Sequence, residues 1–265
     1  MSNPFNKLNL PEIKPTDPEN LYFNLKNAKL IKSNTAAFSL PAGYTCPGAC
    51  DCLAHFDRDA NKLVDGPKAK FRCFAASLEA AFPGVRRSVD LNLARLKKAK
   101  TTVGMAALIS KSLPKEKFKN IRIHADGDFY SQAYFLAWVR AAEMNPTRLF
   151  YAYTKNLPVW VKNRDVVPEN LILTASLGGK WDAMIEGNNL RSAKVVYHPD
   201  EADALGLEID HDDSLARGNG RSFALLIHGM QPKGSEGSSA MKRMREEGVK
   251  HTYGKVGSKH TVITK

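Results

Sequence analysis

The stretch IRIHADGDFYSQAYFLAWVRAAEMNPTRLFYAYT, residues 121–154, decides the fold class of this chain. It opens with the short apolar run IRIHADG and closes with a second one, RLFYAYT, each of the length of a buried strand. Between them, SQAYFLAWVRAAEM places Tyr134, Phe135 and Trp138 at helical spacing. A strand, a helix and a strand in this order predict a βα unit whose two strands lie parallel.

The same alternation continues towards the C-terminus. Short helices are predicted at 157–164 and 181–189, and strands at 171–177, 194–199 and 222–230. The sequence therefore predicts an α/β protein with a parallel sheet, either open or curled into a partial or distorted βα barrel, with an N-terminal cysteine-loop region. We expect a single domain over residues 29–265, preceded by an extended N-terminal arm over residues 1–28.

Helices are also predicted before this alternation begins. FRCFAASLEAAF (71–82) has apolar residues near helical spacing, and Pro83 with Gly84 is expected to end that helix. Residues 88–113 predict one or two amphipathic helices, with Ser88 or Asp90 as the N-cap. Residues 57–70 are expected to form a polar linker.

The four cysteines of the chain fall close together, at Cys46, Cys50, Cys52 and Cys73. Clustered thiols in a reducing compartment usually bind metal, and the segment C-x3-C-x-C brings three of them onto one loop. Zinc sites typically use two C-x2-C-like pairs, whereas three ligands on one loop with a remote fourth favour an iron–sulfur cluster, most simply 4Fe-4S. Zinc and uncoordinated thiols remain the alternatives.

A second set of candidates follows the predicted strands, because the carboxyl ends of parallel strands gather the residues that do chemistry. We expect Asp126 and Lys155 to be catalytic residues. We expect the cofactor to be bound by the acidic turn after the first of these strands and by the turn of small residues after the third. The cofactor-binding candidates are His124, Asp126, Asp128, Ser176 and Gly178. The alternatives are helix caps for the two aspartates, an exposed lysine, and an ordinary turn around Gly178.

The chain carries a formal net charge of +12, which favours polyanionic partners because each neutralised phosphate releases counterions. The clustered part of the excess comprises Arg86, Arg87, Arg95, Lys97, Lys98 and Lys100, and further along Lys242, Arg243 and Arg245. A nucleic acid or nucleotide bound through these basic patches is therefore one predicted partner, and a merely basic protein is the alternative. No protein partner is indicated.

A membrane location is not expected. No segment approaches the roughly 20 apolar residues of a transmembrane helix, and the N-terminus MSNPFNKLNLPEIKP lacks the apolar stretch of a secretory signal. We therefore predict a cytoplasmic protein.

Five segments together resemble a known family: SLPAGYTCPGACDC, FRCFAAS, IHADGDFYSQAYF, FYAYTKNLPVW and LILTASLGG. They are similar to the phage gene product 88 family over residues 38–254, and the cysteine and YAYTK segments are the most specific. The resemblance implies a phage protein in the cytoplasm of its host cell, and no particular activity.

A more distant similarity is to radical S-adenosylmethionine-like phage proteins. Radical enzymes of that kind hold a 4Fe-4S cluster through C-x3-C-x2-C and leave one iron open to S-adenosylmethionine. This chain departs from the pattern, since one residue separates Cys50 from Cys52 and a fourth cysteine is present. If Cys73 closes the fourth iron, that cofactor has no position to bind.

Two functional hypotheses follow. The first is an iron–sulfur phage protein with a ligand site at the strand ends, acting on a nucleotide or nucleic acid if it is an enzyme. The second is a non-enzymatic protein that binds nucleic acid or a partner and uses four cysteines as a structural zinc or cluster site.

Overall fold

The structure is a computed structural model that describes residues 8–218 and 220–249. The strands, numbered along the chain, are β1 (Phe23–Asn24), β2 (Thr35–Ser39), β3 (Ala54–Asp57), β4 (Lys62–Asp65), β5 (Asn120–Asp126), β6 (Leu149–Thr154), β7 (Leu171–Ser176), β8 (Ser192–Val196) and β9 (Phe223–Leu226). The helices are α1 (Phe74–Ala81), α2 (Pro83–Ala99), α3 (Thr102–Ser112), α4 (Gln132–Glu143), α5 (Leu157–Lys162), α6 (Ala183–Gly187), α7 (Pro199–Ala204), α8 (Ser214–Arg217) and α9 (Glu236–Glu246). No described helix is long and apolar enough to cross a membrane.

Seven of the strands form one sheet in the order β1-β2-β5-β6-β7-β8-β9. All neighbours from β2 to β9 pair in parallel, and only β1 runs antiparallel, at the outer edge of β2. The predicted α/β fold with a parallel sheet is thereby confirmed. Within the described residues the sheet ends at β1 and β9, so the curled, barrel-like form remains a prediction.

The main core lies between this sheet and the helices α3 and α4. Trp138 of α4 is fully buried, with its ring centroid 5.3 Å from that of Phe38 on β2 and 6.3 Å from that of Phe150 on β6. Tyr151, the next residue on β6, points to the opposite face of the sheet, as strand alternation requires. There it packs in a smaller cluster beneath α8.

The predicted polar linker contains a hairpin instead. β3 and β4 pair antiparallel from Ala54 opposite Asp65 to Asp57 opposite Lys62. The turn is stabilised by the Asp57 carboxylate, which accepts hydrogen bonds from two backbone N–H groups, and by Asn61 in the left-handed region (φ 50°). Strands of four residues with a polar tip give too little apolar alternation to be recognised in the sequence.

The boundary between α1 and α2 also differs from the prediction. Pro83 does not merely end the first helix; it begins the second, where its missing N–H costs no hydrogen bond. Neither Ser88 nor Asp90 is the N-cap. Asp90 lies inside α2, where it binds Arg58.

The N-terminal arm packs on the body of the protein. The Leu21 N–H donates to the Ser112 hydroxyl at 2.8 Å, and the Tyr22 N–H donates to the Asn92 side chain at 2.7 Å. The arm therefore contacts α2 and α3 before it forms β1. Residues 1–7 of the predicted arm lie outside the described residues.

Candidate functional site

A cavity of about 170 Å³ lies at the carboxyl ends of the central strands. Asp126 from β5, Thr154 from β6 and Ser176 from β7 line one side of it. The cysteine loop and the segment before α1 line another side. The structure therefore brings together the two regions that the sequence analysis proposed separately.

Three of the four cysteines, Cys46, Cys52 and Cys73, line this cavity. Burial is the main reason that the pKa of Cys46 lies well above its ordinary value, that of Cys52 is raised, and that of Cys73 is raised to about 12. Beyond burial, Asp128 and then the neighbouring Cys73 and Cys52 raise the pKa of Cys46 further, and Cys52 does the same to Cys73. The three sulfur atoms are thus within electrostatic range of one another.

The fourth cysteine does not line this cavity, and the predicted four-cysteine metal site stays a prediction. Cys50 is not among the residues that line the cavity; it lies beside Lys70, whose pKa is raised mainly by Asp51 and also by this thiol. Asp51, between Cys50 and Cys52, donates its N–H to the Gly178 carbonyl at 2.9 Å, and this bond fixes the loop between the two cysteines. In the described part of the chain, no group of three or more histidine, cysteine, aspartate or glutamate side chains is arranged to hold a metal ion.

The cysteine loop is bound to the strand ends through its backbone. A Cβ atom at Gly48 would lie 2.2 Å from the Lys155 carbonyl oxygen, so only glycine allows this approach. The Lys180 N–H donates to the Gly48 carbonyl at 2.9 Å, and its ammonium donates to the Pro47 carbonyl at 2.7 Å. The loop therefore docks against the turn after β7.

A buried charge network fixes the start of the loop from the other side. Glu79 of α1 accepts a hydrogen bond from the Ala42 N–H at 2.7 Å, and burial raises its pKa to about 7. Arg58 of the hairpin bridges Glu79 at 2.5 Å and Asp90 at 2.7 Å. No sequence pattern indicates that these three residues interact, since each partner lies on a different element.

His124 does not continue the regular strand. Its backbone is left-handed (φ 63°), and the pairing of β2 with β5 slips between Ala37 opposite Arg122 and Ser39 opposite Asp126. This bulge turns the imidazole towards α4, where its Nε2 lies 3.0 Å from the Tyr134 hydroxyl oxygen. Burial lowers the pKa of His124 to about 3, so the ring is neutral.

The two aspartates of the HADGDF turn differ in what they bind. Asp128 accepts hydrogen bonds from the Thr154 hydroxyl at 2.6 Å and the Lys155 N–H at 2.8 Å. Asp126 lines the cavity, and its Oδ1 has no hydrogen-bond partner among the described residues. Burial raises the pKa of both carboxyl groups to about 6. Neither caps α4, whose N-cap is Ser131.

The Lys155 ammonium is directed to the end of β7. It donates to the Ser176 carbonyl at 3.0 Å and hydroxyl at 2.8 Å, and to the Leu177 carbonyl. All three of its N–H groups thus have acceptors within the protein. Lys155 thereby joins the ends of β6 and β7, and its predicted catalytic role stays a prediction.

The backbone amides at Gly178, a predicted cofactor-binding residue, and at Gly179 are hydrogen-bonded within the protein. The N–H groups of Gly178 and Gly179 donate to the Asp182 carboxylate at 2.8 and 2.9 Å. Asp182 therefore satisfies both amides, and cofactor binding at Gly178 stays a prediction. Ser176 does line the cavity.

A family model for gene product 88 matches residues 17–246. This chain belongs to the gene product 88 family. It is also similar to the Gene 88 protein of Mycobacterium phage L5, with 29% identity over 136 residues, which is 49% of this chain and 50% of that protein. The chain thus spans about half the length of this curated relative. No solved structure matches it.

The basic clusters of this gene product 88 protein are partly neutralised. Arg87 pairs with Asp17 at 2.6 Å, and the buried Arg95 donates to the Pro18 carbonyl. In α9, Arg243 pairs with Glu247 at 2.7 Å and Lys242 lies 3.7 Å from Glu246. The exposed remainder of the first cluster is the end of α2, with Lys97, Lys98 and Lys100.

Some cavity residues of the gene product 88 fold were not anticipated. Arg122 of β5 lines the cavity and pairs with Asp213 at 2.8 Å, and the wall near β8 and β9 is apolar. A strand arginine followed by a distant aspartate carries no local pattern. Only the sheet order, which places residues 210–217 beneath β6, brings the pair together.

Proposed function

We propose that this chain is an iron–sulfur phage protein of the host cytoplasm, in which Cys46, Cys52 and Cys73 hold a 4Fe-4S cluster. The cavity beside these thiols then binds a small ligand at the sheet's carboxyl edge. The observation that carries the proposal is that three thiols from two separate segments line one cavity.

The thiols fit a metal better than they fit an apolar core. Buried thiols with raised pKa values are usually unreactive, and here three of them line the same open space, with Cys73 also packed against a small alanine cluster. A bound metal stabilises the thiolate form that burial otherwise disfavours. The residues present therefore suit a bound metal group.

A cluster fits this donor set better than a single zinc ion. A zinc ion requires all its ligands around one atom, and the described residues contain no such group. In a cluster each cysteine bonds a different iron, so the thiols lie further apart. In this arrangement Cys73 binds the cluster, and Cys50 is the cysteine that does not.

With three cysteine ligands, one iron of a 4Fe-4S cluster is left for an exogenous ligand. S-adenosylmethionine is one candidate for that position, and the protein is then a radical enzyme. Asp126 and His124 would bind the ligand, whereas Lys155 and Asp128 hold the strand ends that position the loop.

Anaerobic reconstitution tests the cluster. We expect about four irons and four sulfides per chain, with a broad visible absorption band. Cys46→Ser, Cys52→Ser and Cys73→Ser should each lose most of this iron, while Cys50→Ser, the matched control, should retain it. Zinc instead of iron, or equal loss in all four variants, contradicts the three-cysteine proposal.

The cofactor is tested separately. Reconstituted protein is incubated with a reductant and S-adenosylmethionine, and 5′-deoxyadenosine is measured. Its formation in wild type and Cys50→Ser supports a radical enzyme. If the cluster forms but the cofactor is neither bound nor cleaved, the radical-enzyme proposal is rejected and the cluster proposal stands.

A second function, nucleic-acid binding, is favoured by the exposed end of α2. Lys97, Lys98 and Lys100 project from one helix end, and none of them is in an ion pair within the described residues. The triple change of these lysines to glutamate should weaken binding to DNA or RNA and flatten the salt dependence by about 0.9 per lost phosphate contact. Salt-insensitive binding, or equal loss on changing Lys242 and Arg245, counts against this function.

A further inference from the structure

We infer that the ligand of the cysteine-lined cavity is an uncharged, flat nitrogen heterocycle of the nucleobase class, with its N–H groups bound by Asp126. The inference rests on the proposed ligand site at the strand ends. It goes further by naming the chemical class that the site accepts.

The first observation is a buried acceptor without a donor. Asp126 is 7% exposed and lines the cavity, and its Oδ1 has no hydrogen-bond partner among the described residues. Ser39 donates to the same carboxyl group, which fixes its orientation. A buried carboxylate oxygen of this kind requires an N–H or O–H group from elsewhere.

The second observation is a neutral imidazole at the same edge. His124 is 4% exposed and lines the cavity; its Nε2 contacts Tyr134, and its Nδ1 has no partner among the described residues. Because burial keeps the ring uncharged, Nδ1 is a donor or an acceptor according to the tautomer. Together the two side chains form a short polar edge that can hydrogen-bond to more than one atom of a ligand.

Another part of the lining is largely apolar. It comprises Phe71, Phe74, Val195, Leu225 and Ile227, with Arg72 and His228 among them. A polar edge together with a largely apolar wall suits a flat ring that presents hydrogen-bonding atoms on its rim and a carbon-rich face. A free sugar in the position of the ring would direct its hydroxyl groups at these apolar residues and leave them without partners.

The charges that line the cavity favour a neutral heterocycle over a positively charged amine as the ligand. Arg122 and Lys155 line the same cavity as Asp126, and the Arg122 charge acts on the Asp126 carboxyl group. Because the Arg122 charge already acts on Asp126, an ammonium ligand there gains less than it would beside an isolated carboxylate. An uncharged ring with N–H groups satisfies the acceptor without relying on that attraction.

The test measures binding of adenosine, guanosine, cytidine and uridine by calorimetry, on wild type and Asp126→Asn. The amide keeps the shape of the side chain but replaces one acceptor oxygen by a donor. We expect at least one nucleoside to bind wild type and its affinity to fall about tenfold in Asp126→Asn. Asp57→Asn, which changes a hairpin carboxylate outside the cavity, should bind as wild type does.

A second variant, Val195→Phe, fills the apolar wall and should reduce the same affinity, while Val103→Phe on the exposed face of α3 should not. Far-ultraviolet circular dichroism checks that the variants fold. The inference is overturned if no nucleoside binds, if neither cavity variant changes the affinity, or if benzylamine binds more tightly than the nucleosides.

Iron and sulfide are measured on the same samples. Asp126→Asn with wild-type iron content and weakened nucleoside binding supports the inference while leaving the cluster intact. Absence of iron in wild type refutes the proposed cluster only, because nucleoside binding is still measured on the metal-free chain.

Discussion

His124 makes the unfolding free energy of the protein depend on pH in the acidic range. Its pKa in the folded state is about 3, below the ordinary value of 6.5, so the unfolded chain takes up a proton first as the pH falls. The stabilising effect of the neutral ring is complete above pH ~6.5 and is lost progressively below it.

The corresponding variant is His124→Asn, since asparagine tolerates the left-handed backbone at this position. Between pH 7 and pH 5, wild type should lose about 2 kcal/mol of unfolding free energy that the variant does not lose. Urea unfolding at the two pH values measures the difference. Parallel curves for the two proteins would show that His124 is protonated in the fold.

Gly48 sets the distance between the cysteine loop and β6. In Gly48→Ala the new methyl group meets the Lys155 carbonyl, so the loop must move. We expect a loss of about 2–3 kcal/mol in unfolding free energy and a lower iron content after reconstitution. Gly187→Ala is the control, because nothing lies within 4 Å of its added carbon. Equal stability of the two variants would argue against close docking of the loop.

At the scale of elements, Arg58 joins the hairpin to α1 and α2. Arg58→Ala leaves two buried carboxyl groups, Glu79 and Asp90, without their cation. We expect a loss of about 3 kcal/mol, with Arg221→Ala near wild type.

The loss in Arg58→Ala should grow between pH 6 and pH 8. Burial already raises the pKa of both carboxyl groups, so the fold favours their protonated forms and loses stability as the pH rises. Thermal unfolding at the two pH values measures this dependence. A loss that is larger at pH 6 would mean that the carboxyl groups are solvated in the variant.

The regular elements were predictable where the apolar pattern is long. The unit β5–α4–β6 was recognised because twelve helical residues lie between two buried strands. The hairpin β3–β4 was missed because its strands have only four residues each and β4 is partly exposed. The start of α2 was misplaced since proline favours both the end of one helix and the first turn of the next.

For the whole molecule, Asn92 connects three parts. Its side chain accepts from the Tyr22 N–H and donates to the carbonyls of Tyr22 and Ser39, thereby joining the arm, α2 and β2. Asn92→Ala should lower the unfolding free energy by about 2 kcal/mol and make the arm more sensitive to protease. Asn24→Ala, at an exposed position of the arm, is the control. Unchanged proteolysis of the Asn92 variant would contradict this connection.

The candidate site was predictable in outline from two facts: the cysteines cluster, and strand ends meet at one edge of a parallel sheet. What each side chain does there was not predictable. Cys50 and Cys52 lie in different surroundings because Asp51 between them is hydrogen-bonded to a turn more than a hundred residues away. The Lys155 ammonium is hydrogen-bonded to the same turn. Such long-range contacts leave no periodic signal in the sequence.

The antiparallel strand β1 affects whether a second copy of this protein can add to the sheet at the edge of β2. An uncovered strand edge is a template on which a second molecule can add its own backbone, the first step of aggregation. Phe23 and Asn24 cover that edge of β2 with only two residues. The arm thereby shields the folded molecule from sheet extension on this side.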